Sequence, residues 1–294
     1  MSASASPSAS LTSLLTPALA ERLRRIRHVA LDMDGTLYKG GTLFPCTPPF
    51  LAQMRQAGIG YTFLTNNPSK SIADYVAHLG RLGLAAQPGD LYTTVQTTLE
   101  HLRTHRPGAR HLFVLGTASM LAEFTAAGYT LATDSPEDEP DAVVVGFDLT
   151  LTYPRACRAA WWISRGKPFI ATNPDRVCPT DQPTVLIDCG SICAMIEQAS
   201  GRAPDIVLGK PDPTMLAGIL RHHRLEPGQV AMVGDRIYTD MLMARRAGAL
   251  GVLVLSGEAT AEDARQANPP LDLVVPSLAE FGALLAQARQ GASA

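Results

Sequence analysis

An α/β fold, a parallel sheet with helices on both faces, is predicted by three observations on this 294-residue chain. Short apolar runs of strand length alternate with helical stretches, the pattern of parallel strands joined by right-handed crossovers. Four of those runs end in residues that carry chemistry, namely Asp32 with Asp34, Thr65, Lys210, and Asp235 with Asp240 close behind. The alternation stops near residue 84 and restarts, so a second, smaller α/β block interrupts the first. In a parallel sheet the carboxyl ends of the strands share one edge, and ligands bind there.

Composition narrows the function classes. Hydrophobic residues make 46% and charged residues 18% of the chain, a globular balance rather than a disordered one. A formal net charge of -2 gives no electrostatic case for nucleic acid or an anionic membrane. No apolar run approaches bilayer-spanning length. Five cysteines, an odd number without paired spacing, argue against a disulfide framework, and Cys189 and Cys193 lack a partner pair for zinc. A reducing, cytoplasmic setting fits these cysteines best.

Residues 1–20 are rich in Ser, Ala, Thr and Pro, with no basic residue ahead of the apolar patch 11–19, and read as a flexible leader rather than a secretory signal. The run from Ile26 is a buried strand ending at Asp32, where Gly35 releases the chain into a turn. A loop with Gly40-Gly41 and Pro45 to Pro49 leads to a short helix from Phe50 to Gln56. The strand 59–64 runs into Thr65-Asn66-Asn67-Pro68-Ser69-Lys70, and a helical pattern follows over 71–82. In the second block, strands are expected over 111–115, 142–147 and 169–173 and helices over 120–127 and 153–165, with one of Trp161 and Trp162 facing the core. Residues 136–141 form an acidic surface loop. The last third returns to the first style, with strands over 205–210, ending at Lys210, and over 229–235, 250–255 and 271–275.

The chemistry starts at Asp32 and Asp34. Two carboxylates at a strand end repel each other unless a hard cation sits between them. An ionised Asp against such a cation is also a nucleophile able to form an aspartyl-phosphate. Alone, Asp-x-Asp-Gly reads as an acidic turn, and it is no EF-hand loop, because Leu43 stands where the bidentate Glu belongs. Thr65 and its neighbours offer a hydroxyl and backbone N–H groups at a helix start, read either as a phosphate seat or as simple capping. His222-His223 reads as the polar end of a helix, and the other histidines show no metal spacing. What outweighs the separate bland readings is the joint arrival of nucleophile, phosphate donors, cation and metal ligand at one sheet edge.

This set resembles the haloacid dehalogenase-like phosphatases. Residues 31–37 look like their first motif, Thr65 the second, Lys210 in Gly-Lys-Pro the third, and 234–240 the fourth. The interval from Asp32 to Thr65 is too short for a cap domain, whereas that from Thr65 to Lys210 holds one. Together with Thr-Asn-Asn at 65–67 and Ala-Thr-Asn-Pro-Asp at 171–175, this layout resembles the p-nitrophenylphosphatase and NagD-like subfamily. The resemblance implies a Rossmann-like core over residues 21–84 and 205–294 and an inserted α/β cap over 85–204. It implies Asp32 as nucleophile and Asp34 as general acid and base. Mg2+ would be held by Asp32, the Asp34 carbonyl and Asp235. Thr65 and Asn66 would bind the phosphoryl oxygens, Asn67 would line the pocket, Lys210 would neutralise charge, and Asp240 would orient Lys210 or a metal-bound water.

The implied activity is hydrolysis of a small phosphate monoester, a sugar phosphate or nucleotide-like substrate being favoured. The rivals are transfer to an acceptor alcohol and a non-catalytic phospho-ligand binder, and the intact Asp32 and Asp34 pair argues against the binder. Two residues depart from the family wording, Pro68 in place of Ser and Tyr238 in place of Asp. Leaving-group contacts are expected from 173–178, including Asn173, Asp175 and Cys178, and from 187–191. Asp188 is expected to disfavour anionic leaving groups such as glycolate, and Ser191 reads equally as a helix cap or a substrate contact. Relatives that hydrolyse pyridoxal phosphate carry His near Cys178, so that substrate is disfavoured. Relatives pair through the cap, and the apolar cap helices are compatible with the same homodimer.

Overall fold

The computed structural model describes residues 15–178, 180 and 182–291; the expected leader lies outside the described residues as far as residue 14. From Pro17 the chain is already helical, so residues 17–20 of that stretch belong to α1 (Pro17–Arg25). Thr16 caps this helix by accepting the Leu19 N–H at 3.2 Å, a proline opens the first turn, and Arg22, Arg24 and Arg25 fill the last, where the helix dipole favours cations. The strand read from Ile26 starts two residues later because Ile26 is the C-cap of α1.

The chain continues through β1 (His28–Asp32), β2 (Tyr38–Lys39), β3 (Thr42–Leu43), α2 (Thr47–Gln56), β4 (Gly60–Thr65), α3 (Ile72–Arg81), β5 (Leu91–Thr93) and α4 (Thr94–His105). It goes on through β6 (His111–Leu115), α5 (Ala118–Ala126), β7 (Thr130–Leu131), β8 (Ala142–Val145), α6 (Tyr153–Ser164), β9 (Phe169–Ala171), β10 (Val177–Cys178), β11 (Leu186–Ile187) and α7 (Cys189–Ser200). The last third holds β12 (Ile206–Val207), α8 (Thr214–His223), β13 (Val230–Gly234), a π-helix over Ile237–Met241, α9 (Leu242–Ala247), β14 (Leu250–Val254), α10 (Ala261–Gln266), β15 (Leu273–Val275) and α11 (Leu278–Gln290). The Gly40-Gly41 loop is the turn of the antiparallel β2–β3 hairpin, with Tyr38 opposite Leu43.

The described residues form two compact units, residues 15–63 with 219–291, and Leu64–Gly218. In the first, the sheet runs in the order β15-β14-β13-β1-β4. β1 pairs parallel with β13, His28 opposite Val230 and Leu31 opposite Val233, and β13, β14 and β15 continue in parallel. Every residue of β1, β13 and β14 is buried, which is why these strands read as unbroken apolar runs. Helices α1 and α2 pack on α11, with the Phe50 and Phe281 rings 5.8 Å apart, while the π-helix and α9 pack against β14.

The second unit has its own parallel sheet, in the order β12-β9-β8-β6-β7. Strand periodicity splits its core in two. Leu112, Val114, Val144 and Ile170 join Leu99, Met120 and Phe124 in one cluster. Phe113, Leu115, Val143 and Val145 join Trp162, Ile163, Ile192 and Ile196 in the other. Trp162 is the core tryptophan; Trp161 packs at the cluster's edge, its ring flanked by the Arg158 and Arg165 guanidiniums at 5.0 and 4.8 Å.

Candidate active site

In the first unit, Asp32 closes β1 and Asp235 follows β13, and the parallel register brings these strand ends side by side. The chain leaves β1 toward β4 on one side and β13 toward β14 on the other, so this edge is a topological switch point. Asp240 arrives from the π-helix, an element common at functional sites. Carboxylate oxygens of Asp32, Asp235 and Asp240 all lie within 4.8 Å of one another, and all three residues are buried.

Two glycines make room for this crowding. Gly35 adopts φ +89°, a left-handed conformation that disfavours side chains, and a Cβ there would run into the Asp235 carboxylate. A Cβ on Gly257, in the loop after β14, would strike the same group. That loop also holds the site together: the Glu258 N–H donates to Asp235 Oδ2 at 2.7 Å and the Ser256 hydroxyl to the Gly35 carbonyl at 2.7 Å. Sequence reading passed over Ser256, Gly257 and Glu258; the signal was their place, at the end of another strand on the same edge.

Burial pushes the Asp235 carboxyl up to about 7, and the charges of Asp32 and Asp240 add to the effect. Asp235 Oδ1 is buried without a hydrogen-bond partner among the described residues. A buried carboxylate oxygen without a donor, beside two other carboxylates, is the donor set of a hard divalent cation, and these residues fit one. Asp240 Oδ2 accepts the Arg236 N–H at 3.1 Å, and the Arg236 side chain pairs with Glu258 at 2.9 Å. Asp240 stands among the clustered carboxylates. The Thr36 hydroxyl donates to Asp32 Oδ2 at 3.4 Å. Asp34 is exposed in the turn after β1; partial enclosure raises its carboxyl pKa, the Gly40 N–H opposes that, and the Asp32 charge adds to it.

Thr65, Asn66, Asn67 and Lys210 belong to the second unit and come together there around Asn66. Its Nδ2 donates to the Lys210 carbonyl at 3.0 Å and to Asp175 Oδ2 at 3.1 Å, while its Oδ1 accepts the Lys210 N–H at 2.7 Å. The Thr65 hydroxyl oxygen accepts the Asn67 N–H at 3.1 Å, which leaves its own proton to donate. Asn67 accepts the Ser69 N–H at 2.8 Å and directs its amide at Cys178 Sγ, 3.5 Å away. Asn173 donates to the Asn66 carbonyl at 3.0 Å.

The segment 187–191 differs from expectation. Helix α7 begins at Cys189, and its N-cap is Asp188, whose carboxylate accepts the Cys189 N–H at 2.5 Å. Asp188 is only 2% exposed, so it is not a loop acid in solvent. Ser191 sits inside the first turn and donates to the Arg176 carbonyl at 2.8 Å, so it is not the cap. His222 and His223 are exposed, as expected, although the His223 ring packs tilted against buried His28, ring centres 4.2 Å apart.

The haloacid dehalogenase-like hydrolase family matches residues 29–130, and a second, HAD-hydrolase-like family matches residues 207–281. The chain is 31% identical over 256 residues to the ribonucleotide monophosphatase NagD of Escherichia coli K12, covering 87% of this chain and 98% of that protein. Among solved structures it resembles the 4-nitrophenylphosphatase of Thermotoga maritima, with a TM-score of 0.83 and 38% identity, covering 89% of this chain and 98% of that one. It also resembles a Mycobacterium tuberculosis glycerol phosphate phosphatase in complex with magnesium, with a TM-score of 0.80 and 30% identity, covering 88% of this chain and 77% of that one.

Proposed function

The chain belongs to the haloacid dehalogenase-like hydrolases, in their NagD and 4-nitrophenylphosphatase-like branch, and is a phosphoric monoester hydrolase; from that premise we propose that it is magnesium-dependent and works through an aspartyl-phosphate on Asp32. The observation that carries this reading is the buried cluster of Asp32, Asp235 and Asp240. Mg2+ would be held there by Asp32, the Asp34 carbonyl and Asp235, with Asp240 in support, and when bound it neutralises charge on the carboxylates and the phosphoryl group.

An Asp32 oxygen attacks phosphorus as the ester P–O bond breaks, and Asp34, whose raised pKa favours the acid form, gives its proton to the departing oxygen. Asp34, now a carboxylate, takes a proton from water, which attacks phosphorus and releases Asp32 and inorganic phosphate. In this reading Thr65 donates to a phosphoryl oxygen, Asn67 lines the pocket, and Lys210 offsets the charge of the transferred group. Residues 21–84 and 205–294 are proposed as the catalytic core and 85–204 as the cap, with 173–178 facing the leaving group.

A sugar phosphate or nucleotide-like monoester is the proposed substrate class, supported by relatives named for ribonucleotide and glycerol phosphate hydrolysis. A cytoplasmic location is proposed on the odd, unpatterned cysteines; no helix among the described residues is long and apolar enough to cross a membrane. A homodimer through the cap is proposed on the exposed Val177, Val185 and Ile187 at the β10–β11 ribbon, and sedimentation at increasing protein concentration checks it. The central test is phosphate release from p-nitrophenyl phosphate by wild type and Asp32→Asn, with Mg2+ and with chelator. Release by the wild type with Mg2+ alone supports the reading, and equal release by Asp32→Asn refutes it.

A further inference from the structure

We propose that the Asn66 side chain is a positioning residue, setting Lys210 through its backbone and tying it to Asp175, and that it makes no phosphoryl contact of its own; this rests on the phosphatase reading above. A primary amide has two N–H donors and one carbonyl acceptor. Both donors of Asn66 are engaged, one with the Lys210 carbonyl at 3.0 Å and one with Asp175 Oδ2 at 3.1 Å. The acceptor holds the Lys210 N–H at 2.7 Å. Because Lys210 offers one donor and one acceptor to the same amide, its orientation is determined by the bonds themselves. No N–H of this side chain remains for a phosphoryl oxygen.

The clamp is built into its surroundings. Asn66 is 7% exposed. Its main-chain carbonyl accepts from Asn173 Nδ2 at 3.0 Å and from the Thr94 hydroxyl at 3.1 Å. Gly209 permits the approach: it adopts φ +76°, and a Cβ there would meet Asn66 Oδ1, the Thr172 carbonyl and Thr94 Cγ2, each at 2.9 Å. Lysine reaches its target on a flexible four-carbon stem, so fixing its main chain removes freedom at the base of that stem. Asp175 belongs to the segment 173–178 proposed to face the leaving group, and Asn173 Oδ1 accepts its N–H at 2.9 Å. One amide thus links the charge-neutralising lysine to the substrate-facing segment.

The test uses the full-length protein with Mg2+ and p-nitrophenyl phosphate and compares Asn66→Asp, Asp175→Asn and the double variant. Asn66→Asp keeps the acceptor for the Lys210 N–H, loses both donors and faces the Asp175 carboxylate with a like charge. We expect kcat to fall about 10- to 100-fold, with KM and the Mg2+ half-saturation within about threefold of wild type. In the double variant the amide introduced at position 175 donates to the carboxylate introduced at position 66. The link is restored with its polarity reversed, and the combined loss in kcat is smaller than the product of the single losses. Losses that simply multiply, or a raised KM with kcat unchanged, overturn the proposal.

Thr94→Val loosens Asn66 more gently if the Asp variant unfolds; it should lower kcat at unchanged KM, and an unchanged kcat counts against the clamp. Amide exchange at Lys210 should accelerate in Asn66→Ala, and unaltered protection there also overturns the clamp. A wild type inert toward sugar phosphates, nucleotides and p-nitrophenyl phosphate is a different result: it overturns the phosphatase reading and this proposal with it.

Discussion

At the scale of single residues, buried charge and buried imidazole set opposite demands. Asp235 is held among two other carboxylates, an arrangement favourable to binding a cation and unfavourable to the metal-free fold. We expect Asp235→Asn to raise the Tm of the metal-free protein by about 3 °C or more, while abolishing the further rise that the proposed Mg2+ binding predicts for the wild type; a thermal melt with and without chelator checks both. His28 is the contrary case. Its Nε2 lies 2.8 Å from the Thr62 hydroxyl, and burial, then the charges of His223 and His222, lowers its pKa to about 3. A base whose folded pKa is depressed stabilises the fold fully above its unfolded value of 6.5 and loses that contribution as pH falls toward 3. Between pH 6.5 and 4.5 this amounts to about 2 to 3 kcal/mol, and His28→Gln should flatten the dependence of the urea midpoint in that window.

At the scale of elements, termini and turns carry the consequences. Asp188 caps α7, so Asp188→Ala should cost about 1 kcal/mol in chemical denaturation. If the cap is its whole role, the ranking of phosphoglycolate against sugar phosphates stays as in the wild type; a gain for phosphoglycolate would restore Asp188 as a selector. Gly35 ends β1 in a turn with φ +89°, facing Asp235. Gly35→Ala adds both backbone strain and a collision with that carboxylate, and kcat on p-nitrophenyl phosphate should fall more than about 100-fold, with Mg2+ affinity weakened in a calorimetric titration.

At the scale of the whole molecule, the first unit is assembled from two distant lengths of chain, because β1 takes its parallel partner from β13. Truncation after Gly218 removes β13, β14, β15 and α11, leaving β1 with an unpaired edge. We expect the truncated chain to aggregate and to show no cooperative melting transition for that unit, by size-exclusion chromatography and near-ultraviolet circular dichroism. Much of this organisation was legible in advance. Alternating apolar runs declare strands and helices locally, and Asp32, Thr65, Lys210 and Asp235 each close such a run, so the sequence by itself determined the α/β class and which residues stand at the strand ends as candidates for a phosphate and a cation. It did not reveal that Asp240 lies within 4.8 Å of Asp32 and Asp235, that the Glu258 N–H holds Asp235, or that Asn66 is occupied with Lys210 and Asp175. Those are decided by the tertiary structure alone, for a physical reason. Periodicity reports only which face a residue takes within its own element, whereas register between strands far apart in the chain fixes which side chains come within hydrogen-bond and Coulomb range.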